Sequence, residues 1–330
     1  MTKMHKVSVN GETFIARSGQ RLLDAALAAG ADLPHDCRAG TCGTCLTRVR
    51  SGLTLGGETS QAGTVHACQA MVFSDLVAES EPRPPEVRLR GRLAAMHNLA
   101  PDIVEVTLSL SERLEILPGQ YCRFRFQGYP VRTFSPTAPL TGICRDNLIR
   151  LHVQRQRGGT VTPQIGREIR PGHPVRIDGP FGSAYLRPGS RQRLVLLASG
   201  TGFAPIWSIA CAALQERPGR QIILIAGARS RKTLYITPAI RLLNSYPGVT
   251  AMAYLGDLGA ALDQCSPHGG NLPAFCREDV VFAAGSPAMV AKAGAVAAAA
   301  GATFHADPFE AFPRQSQSWT GRAMAWLNAG

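Results

Sequence analysis

The sequence predicts three folded units of different classes: a small α+β unit, an antiparallel β-barrel, and a doubly wound parallel α/β unit. Three observations support this division. A cysteine-rich loop lies near the N-terminus, a proline-rich segment follows at residues 81–86, and the hydrophobic pattern changes from short alternating runs to βαβ near Arg193. A length of 330 residues is enough for two or three domains, each with its own core.

Composition narrows the classes of function. The net charge of +12 comes mostly from arginine, yet no basic run or recognition-helix pattern indicates nucleic-acid binding. The scattered arginines suit phosphate-bearing cofactors and an acidic redox partner better. No stretch approaches the ~18 apolar residues of a membrane span, and no apolar run follows Met1 to form a signal peptide. Scattered cysteines fit a reducing compartment, so we expect a soluble, cytoplasmic protein.

The first predicted unit covers residues 1–80. Alternating apolar residues flank Asn10-Gly11, which predicts a β-hairpin with a tight turn there. Ser18 is positioned to cap a helix that Gly30 ends. The predicted apolar face of this helix consists of Leu22, Leu23, Ala26 and Leu27.

Four cysteines in this unit have the spacing of a metal-cluster site. They are Cys37, Cys42, Cys45 and Cys68, in the plant-type C-x4-C-x2-C…C pattern of a [2Fe–2S] cluster. The small residues between the first three let backbone N–H groups turn toward the cluster sulfurs. A redox dithiol or a zinc site is the alternative. Neither explains the position of Cys37 or a glycine-rich loop without histidine, so the pattern favours the cluster.

The second and third units are predicted from periodicity. Residues 81–86 contain three prolines, which predicts a stiff, extended linker. Short alternating runs over 87–187 indicate an antiparallel barrel. From 188 to 330, continuous apolar strands separated by helices predict a doubly wound parallel sheet, with a C-terminal extension after residue 309. The predicted strands and helices of this third unit are strands 194–198, 221–226, 249–254 and 280–283, and helices 206–216 and 287–300.

Two motifs in the barrel unit suggest a phosphate-bearing cofactor. The segment Arg132-Thr-Phe-Ser135 follows a strand, although by itself Arg132 is equally a surface charge and Phe134 a core aromatic. The Gly158-Gly-Thr-Val-Thr162 segment lets backbone amides approach a phosphate, with the Thr162 hydroxyl as a further donor. Together the two motifs predict a cofactor site on the barrel.

A third motif, Gly200-Thr-Gly-Phe-Ala-Pro205, lies between the first strand and first helix of the parallel unit. Free amides and the helix dipole favour a phosphate there. Pro205 occupies the last position, so this is not the G-x-G-x-x-G fingerprint, and a generic phosphate loop stays open as an alternative.

The order of these motifs, together with Gly-Pro-Phe-Gly at 179–182, resembles the ferredoxin–NADP⁺ reductase superfamily. More closely, it is similar to the reductase components of bacterial aromatic-ring-hydroxylating dioxygenases of the naphthalene dioxygenase type. The resemblance covers almost the whole chain. It implies a β-grasp ferredoxin domain, a six-stranded FAD-binding barrel and an NAD(P)-binding domain. It also implies [2Fe–2S], FAD and NAD(P)H as cofactors, with electrons passing to a ferredoxin or a terminal oxygenase.

The resemblance assigns roles to individual residues. Ser135, Thr201 and Phe309 would face the reacting flavin and nicotinamide as catalytic residues. Arg132 would pair with the flavin diphosphate, and Phe134, where the family usually has tyrosine, would pack on the isoalloxazine. The full cofactor-binding set is Arg132, Thr133, Phe134, Ser135, His152, Val153, Gly158, Gly159, Thr160, Val161, Thr162, Gly200, Thr201, Gly202, Arg229, Ala284, Gly285, Ser286 and Phe309.

The parallel unit departs from the family pattern at several positions. Ala284 stands where relatives carry a cysteine, Ala226 where an aromatic is usual, and Ser199 where a further glycine is common. These changes define an alternative: a reductase-like redox sensor, similar to the regulator of tetralin degradation, with impaired NAD(P)H oxidation and a transcription activator as partner. The sequence leaves the choice between NADH and NADPH open.

Overall fold

The computed structural model describes residues 2–59, 61–139, 147–262 and 272–309. The expected C-terminal extension and two of the scattered cysteines, Cys144 and Cys265, lie outside these residues. The described chain forms three large sheets in succession along the sequence, in agreement with the predicted fold class. None of the described helices is long and apolar enough to cross a membrane.

The N-terminal unit is a mixed five-stranded sheet with one helix, in the strand order β2-β1-β7-β3-β5. Its elements are β1 (Met4–Val9), β2 (Glu12–Arg17), α1 (Leu22–Ala28), β3 (Leu46–Ser51), β4 (Thr54–Leu55), β5 (Thr64–His66), β6 (Met71–Val72) and β7 (Leu76–Ser80). The predicted hairpin is confirmed, because β1 pairs antiparallel with β2 and both Asn10 and Gly11 have positive φ. Two positive φ values are what a type I′ turn requires.

The prediction that Ser18 caps the first helix is wrong. The Ser18 N–H donates instead to the Lys3 carbonyl at 2.8 Å, and Gly19 continues the turn with a φ of +79°. The helix α1 therefore begins at Leu22, after Arg21, without a side-chain cap. Burial of its apolar face in the core of this unit stabilises the helix in place of the cap.

The middle unit is a six-stranded antiparallel sheet in the order β11-β10-β13-β8-β9-β12. Its strands are β8 (Val87–Asn98), β9 (Ile103–Leu110), β10 (Tyr121–Phe126), β11 (Arg132–Phe134), β12 (Leu148–Gln154) and β13 (Pro174–Phe181). A bridge between Thr137 and Arg150 joins the two ends of the sheet, so the strands curl into a barrel. Alternate residues, such as Phe124 and Phe126, are fully buried inside it, as the sequence pattern predicted.

The C-terminal unit is a parallel sheet in the order β16-β15-β14-β17-β18, with an apolar cluster on each face. Its elements are β14 (Leu194–Ser199), α2 (Phe203–Glu216), β15 (Ile222–Ala228), α3 (Thr237–Leu243), β16 (Val249–Leu255), α4 (Leu258–Ala261), β17 (Val280–Gly285), α5 (Pro287–Ala299) and β18 (Thr303–Pro308). The predicted doubly wound sheet is confirmed. The helix α2 begins at Phe203 rather than Ile206, because a proline such as Pro205 is tolerated in the first turn.

The three units are joined by direct contacts. Thr137 donates its hydroxyl hydrogen to the Ala204 carbonyl at 2.7 Å, which ties the barrel to α2. Glu81, in the proline-rich segment, accepts hydrogen bonds from the Tyr185 hydroxyl at 2.6 Å and the Arg187 guanidinium at 2.8 Å. The segment between the first two sheets is thus anchored to the barrel and is more than a spacer.

Candidate redox site

The four predicted cluster ligands lie on two neighbouring segments of the first unit. Cys37, Cys42 and Cys45 belong to the loop between α1 and β3, and Cys68 follows β5. Cys37 is exposed, whereas Cys45 and Cys68 are buried. The site therefore has one edge at the protein surface and one edge in the core.

Backbone amides point at the sulfur of Cys37. The N–H groups of Ala39 and Cys42 lie 3.3 and 3.4 Å from this sulfur, and the Thr41 hydroxyl lies 3.5 Å from it. Gly40, with a φ of +75°, turns the loop back. Hydrogen bonding from Cys42, followed by that from Thr41 and the amides, lowers the pKa of the Cys37 thiol to about 3. The loop thus favours a thiolate at Cys37, whereas the hydrogen bond to Cys37 raises the pKa of Cys42 and burial raises that of Cys45.

The spacing of the cysteines distinguishes the cluster from the zinc alternative. In the part of the chain that the structure describes, no group of three or more His, Cys, Asp or Glu side chains converges on one ion, so the side-chain geometry favours neither metal. A [2Fe–2S] cluster takes two thiolates on each of two irons, and the C-x4-C-x2-C…C spacing is the pattern of that cluster.

The cluster loop packs directly against the barrel. The Gly182 N–H donates to the Thr44 hydroxyl oxygen at 2.9 Å, and Arg83 donates to the Thr44 carbonyl at 2.6 Å. Gly43 leaves no room for a side chain, because a Cβ there would lie 2.0 Å from the Ser183 hydroxyl oxygen. The Gly-Pro-Phe-Gly motif at 179–182 thus ends against the loop that carries the cluster ligands.

Tyr121 on β10 makes a second contact between these units. Its hydroxyl donates to the carboxylate of Asp36, the residue before Cys37. Burial, followed by the neighbouring Cys42, raises the pKa of the Tyr121 hydroxyl well above its usual value, so this group stays a donor. Its other electrostatic neighbours include Asp307 on β18. Tyr121 therefore lies between the cluster loop and the C-terminal strand.

Gly43→Ala is expected to displace the cluster loop from the barrel and slow electron transfer between FAD and the cluster about tenfold or more, because misplacement of redox partners carries a large penalty. Rapid anaerobic mixing with NAD(P)H measures this rate, with the flavin and cluster absorbances followed separately. Gly30→Ala is the matched control, since Gly30 has a similar φ of +76° and no atom within 4 Å of the added Cβ.

The double variant Gly43→Ala with Ser183→Gly removes the two nearest atoms that the new Cβ meets and leaves the Leu46 side chain, at 3.4 Å, in ordinary contact. We expect it to recover part of the lost rate, with the remaining loss due to the positive φ that alanine adopts reluctantly. A Gly43→Ala protein as fast as the Gly30→Ala control would contradict the role assigned to this contact.

The two barrel motifs come together in space. The Arg132 guanidinium on β11 donates to the Thr160 hydroxyl at 2.8 Å. Gly158 and Gly159 are exposed beside it, and the Thr162 hydroxyl accepts the Gln156 N–H at 3.0 Å. Arginine, exposed glycine backbone and threonine hydroxyls in one place fit a diphosphate. These residues would hold that part of FAD.

The remaining predicted barrel residues divide into exposed and buried groups. Thr133 is exposed and Phe134 is half-buried, with its ring 5.7 Å from that of Phe124. Val161 and Val153 are buried in the barrel core. Thr133 therefore lies on the exposed face of β11, and Phe134 lies on the opposite face, against the barrel core.

The side chain of His152, a predicted cofactor-binding residue, lies in the protein interior. Its side chain is fully buried, with Nδ1 3.2 Å from the Tyr235 hydroxyl and Nε2 3.8 Å from the Glu105 carboxylate. Burial lowers the pKa of this imidazole despite Glu105. Any cofactor contact at this position would come from the backbone.

Asp307 is a candidate site residue that sequence reasoning missed. It ends β18, and its carboxylate lies 3.3 Å from the hydroxyl of the buried Ser135. Burial raises the pKa of the Asp307 carboxyl to about 7, partly offset by the hydrogen bond from Ser135. A predicted flavin-facing hydroxyl thus has a titratable hydrogen-bond partner from another unit.

Asp307→Asn is expected to stabilise the protein in alkaline solution. The folded state raises the pKa of Asp307, so the wild-type protein loses stability as pH rises from the unfolded value of about 4 through about 7, whereas asparagine does not titrate. The temperature of flavin release should therefore match wild type in acid and exceed it in alkali. Asp24→Asn, at an exposed position on α1, is the control. If the temperature of flavin release differed between Asp307→Asn and wild type by the same amount in acid and in alkali, the raised pKa of Asp307 would be refuted.

The predicted nucleotide residues meet at the carboxyl ends of β14 and β17. A Cβ on Gly202 would lie 2.2 Å from the Ala284 carbonyl oxygen, so the two turns are in close contact. The Ser199 hydroxyl oxygen accepts the Ser286 N–H at 2.8 Å. A Cβ on Gly285 would lie 2.3 Å from the same hydroxyl oxygen. Ser199, a departure from the family pattern, thus fastens these turns together.

Four further predicted residues surround this point. Thr201 and Gly200 form the short 3-10 turn after β14, with Gly200 exposed and Thr201 half-buried. The Phe309 N–H donates to the Gly285 carbonyl at 2.7 Å, so this aromatic residue lies at the same end of the sheet. Arg229 is exposed at the end of β15. All four lie where a doubly wound sheet binds its ligand.

Three residues of the site were not predicted: Arg83, Tyr121 and Asp307. Two of them left a weak signal in the sequence. Arg83 is a lone charge flanked by prolines, and Asp307 is an acid two residues before the predicted aromatic Phe309. Tyr121 left none, since it reads as an ordinary strand residue.

Family comparisons agree with the three units. Residues 7–73 match the 2Fe-2S iron-sulfur cluster binding domain, residues 90–185 the oxidoreductase FAD-binding domain, and residues 196–261 the oxidoreductase NAD-binding domain. The cofactors are therefore a [2Fe–2S] cluster, FAD and NAD(P)H.

Similar proteins cover three quarters or more of the chain. Reductase component 2 of terephthalate 1,2-dioxygenase from Comamonas sp. is 31% identical over 338 residues, with 94% of this chain and 98% of the relative covered. The reductase subunit of an aromatic O-demethylase from Amycolatopsis sp. is 31% identical over 270 residues, covering 76% and 80%. The crystal structure of the Amycolatopsis cytochrome P450 reductase GcoB matches with a TM-score of 0.66 and 27% identity, covering 92% of this chain and 98% of that one.

The fold and the site define an NAD(P)H-dependent iron–sulfur flavoprotein reductase, in which electrons pass from NAD(P)H through FAD to the [2Fe–2S] cluster. The chain belongs to the family of ferredoxin–NAD(P)⁺ reductase components of aromatic oxygenase systems. Nothing in these comparisons supports the regulatory alternative with a transcription activator.

Proposed function

We propose that this protein is the cytoplasmic reductase of an aromatic-compound oxygenase system and delivers single electrons to a ferredoxin or to the oxygenase itself. The observation that carries the proposal is the contact of the cluster loop with the barrel, where Gly182 donates to Thr44 and Arg83 donates to both units. This contact holds the cluster ligands next to the flavin-binding unit. Relatives of the chain are named for such oxygenase systems.

The residues of the barrel bind and orient the flavin. Arg132 and Thr160, which are hydrogen-bonded to each other, would hold the diphosphate, and Phe134 would pack on the ring system. Ser135, whose hydroxyl lies 3.3 Å from the Asp307 carboxylate, would donate its single hydrogen either to the reacting edge of the ring or to Asp307. FAD, when bound, accepts two electrons as a hydride and releases them one at a time, which nicotinamide alone does not do.

The residues of the parallel sheet bring the nucleotide to the flavin. Thr201 and Ala284 lie on the two turns that meet at Gly202, and Phe309 lies beside them. The exposed Arg229 is placed to contact the nucleotide phosphates. Although Ala284 lacks a thiol, Ser199 keeps the two turns in contact, and this geometry supports a working hydride site.

Anaerobic mixing with NADH and, separately, with NADPH tests the proposal. Rapid bleaching of the flavin band followed by the cluster band is expected with at least one nucleotide. An acidic ferredoxin added afterwards should be reduced in turn. If neither nucleotide bleaches the flavin while dithionite still reduces both centres, the protein is not such a reductase.

A further inference from the structure

The outer face of the barrel carries three arginines that lie directly opposite one another on neighbouring strands. Arg125 on β10 is paired in register with Arg176 on β13, and Arg176 is paired with Arg90 on β8. All three are exposed, since the residues on either side of them point into the barrel core. We call these three residues the arginine row.

The arginine row is electrostatically unfavourable for the isolated chain. Cross-strand neighbours have Cβ atoms about 5 Å apart, and like charges placed so are destabilising. No hydrogen bond or ion pair joins a side chain of the row to another side chain in the described part of the chain. Elsewhere on the same face acids are present, because Asp178 pairs with Arg88 at 2.7 Å and Asp36 pairs with Arg123. The lack of acidic partners is therefore specific to the arginine row.

The row continues the surface that carries the exposed edge of the cluster site. Arg123 and Arg125 are two residues apart on β10, about 7 Å along the strand, and their side chains share a face. The carboxylate that Arg123 contacts belongs to Asp36, which precedes the exposed ligand Cys37. A molecule that covers the row and extends past Arg123 therefore reaches the cluster edge.

A groove of about 680 Å³ runs along the row. Its lining includes Arg92, Ser109 and Gln127 in addition to the row itself. These side chains add one more positive charge and neutral hydrogen-bonding groups, and the lining contains no acid and no aromatic ring. The groove thus suits carboxylates rather than stacked bases, which bind on aromatic side chains.

We propose that the arginine row is the docking surface for a ferredoxin whose surface is acidic, which takes electrons from the adjacent edge of the cluster. This inference rests on the proposed function and adds the location and charge of the partner site. Carboxylates of the partner supply the acids that the row lacks. The net charge of +12 attracts the same partner over longer distances.

The test is the triple variant Arg90→Gln, Arg125→Gln and Arg176→Gln, with a plant-type [2Fe–2S] ferredoxin of net negative charge as the probe. Binding of the oxidised probe is measured by surface plasmon resonance, and its reduction is measured in NAD(P)H-driven turnover. We expect Kd and KM to rise about tenfold or more, with a weaker dependence on salt. The rate of cluster reduction by NAD(P)H and the flavin content should stay at the wild-type values.

The matched control removes the same charge from exposed positions of the parallel-sheet unit: Arg217→Gln, Arg241→Gln and Arg277→Gln. It should bind the probe like wild type. Equal binding by both triple variants would overturn the inference. So would a row variant that loses retention on heparin but keeps its affinity for the ferredoxin, which would indicate a polyanion instead. Because binding is measured without turnover, failure of the proposed function would appear separately, as a cluster that NAD(P)H does not reduce.

Discussion

Cys42→Ser is expected to abolish the [2Fe–2S] absorbance and leave FAD bound. The residue lies in the middle of the ligand loop, and its N–H also donates to the sulfur of Cys37 at 3.4 Å. Serine keeps that amide but offers iron a harder and far less acidic ligand than a thiolate. The flavin residues belong to the barrel and make no bond to Cys42, so flavin binding should persist. Iron, sulfide and flavin content, together with the visible spectrum, measure both outcomes.

The matched control is Cys276→Ser, because this half-buried thiol lies before β17 and its described partner is Arg193 at 3.4 Å. That variant should keep both centres. An unchanged cluster spectrum in the Cys42→Ser protein would refute the ligand assignment. In the expected case, NAD(P)H should still bleach the flavin, but a ferredoxin should no longer be reduced, since the route through the cluster is lost.

Gly202→Ala is expected to lower the rate of flavin reduction by NAD(P)H about 100-fold, the scale on which a displacement of about 1 Å affects an aligned reaction. The added Cβ would lie 2.2 Å from the Ala284 carbonyl oxygen and 2.7 Å from the Gly285 Cα. Both neighbours are backbone atoms at the end of a buried strand, so the turn must move. Thr201 moves with it, and overpacking of this kind also costs about 1–3 kcal/mol of stability.

Rapid mixing with NAD(P)H measures this rate, and reduction by dithionite shows whether both centres remain intact. Gly219→Ala is the control, because Gly219 precedes the adjacent strand β15 and no atom lies within 4 Å of its added Cβ. Should Gly202→Ala reduce its flavin as fast as Gly219→Ala, the turn would not position the nicotinamide. A purified Gly202→Ala protein that contained no FAD would also contradict this account, which expects both centres to remain intact.

The parts of the site that depend on residues close together in the sequence were predicted. The parts that depend on contacts between distant residues were not. The cluster ligands have a fixed spacing, because three thiolates from one loop must converge on a small inorganic centre. Glycines at tight approaches, such as Gly43 and Gly202, were visible as parts of motifs, although only the structure shows which atoms exclude a side chain. Asp307 was missed because its partner, Ser135, is 172 residues away in the chain.

By itself, the sequence determined the three units, their order, most of their strands and helices, and the cofactor motifs, because periodicity and motif spacing act over short stretches of chain. The tertiary structure alone decided how the units meet. Strand register places Arg90, Arg125 and Arg176 side by side, packing turns His152 toward Tyr235, and the linker residue Arg83 binds the cluster loop. These outcomes depend on contacts between residues far apart in sequence, which no local pattern encodes.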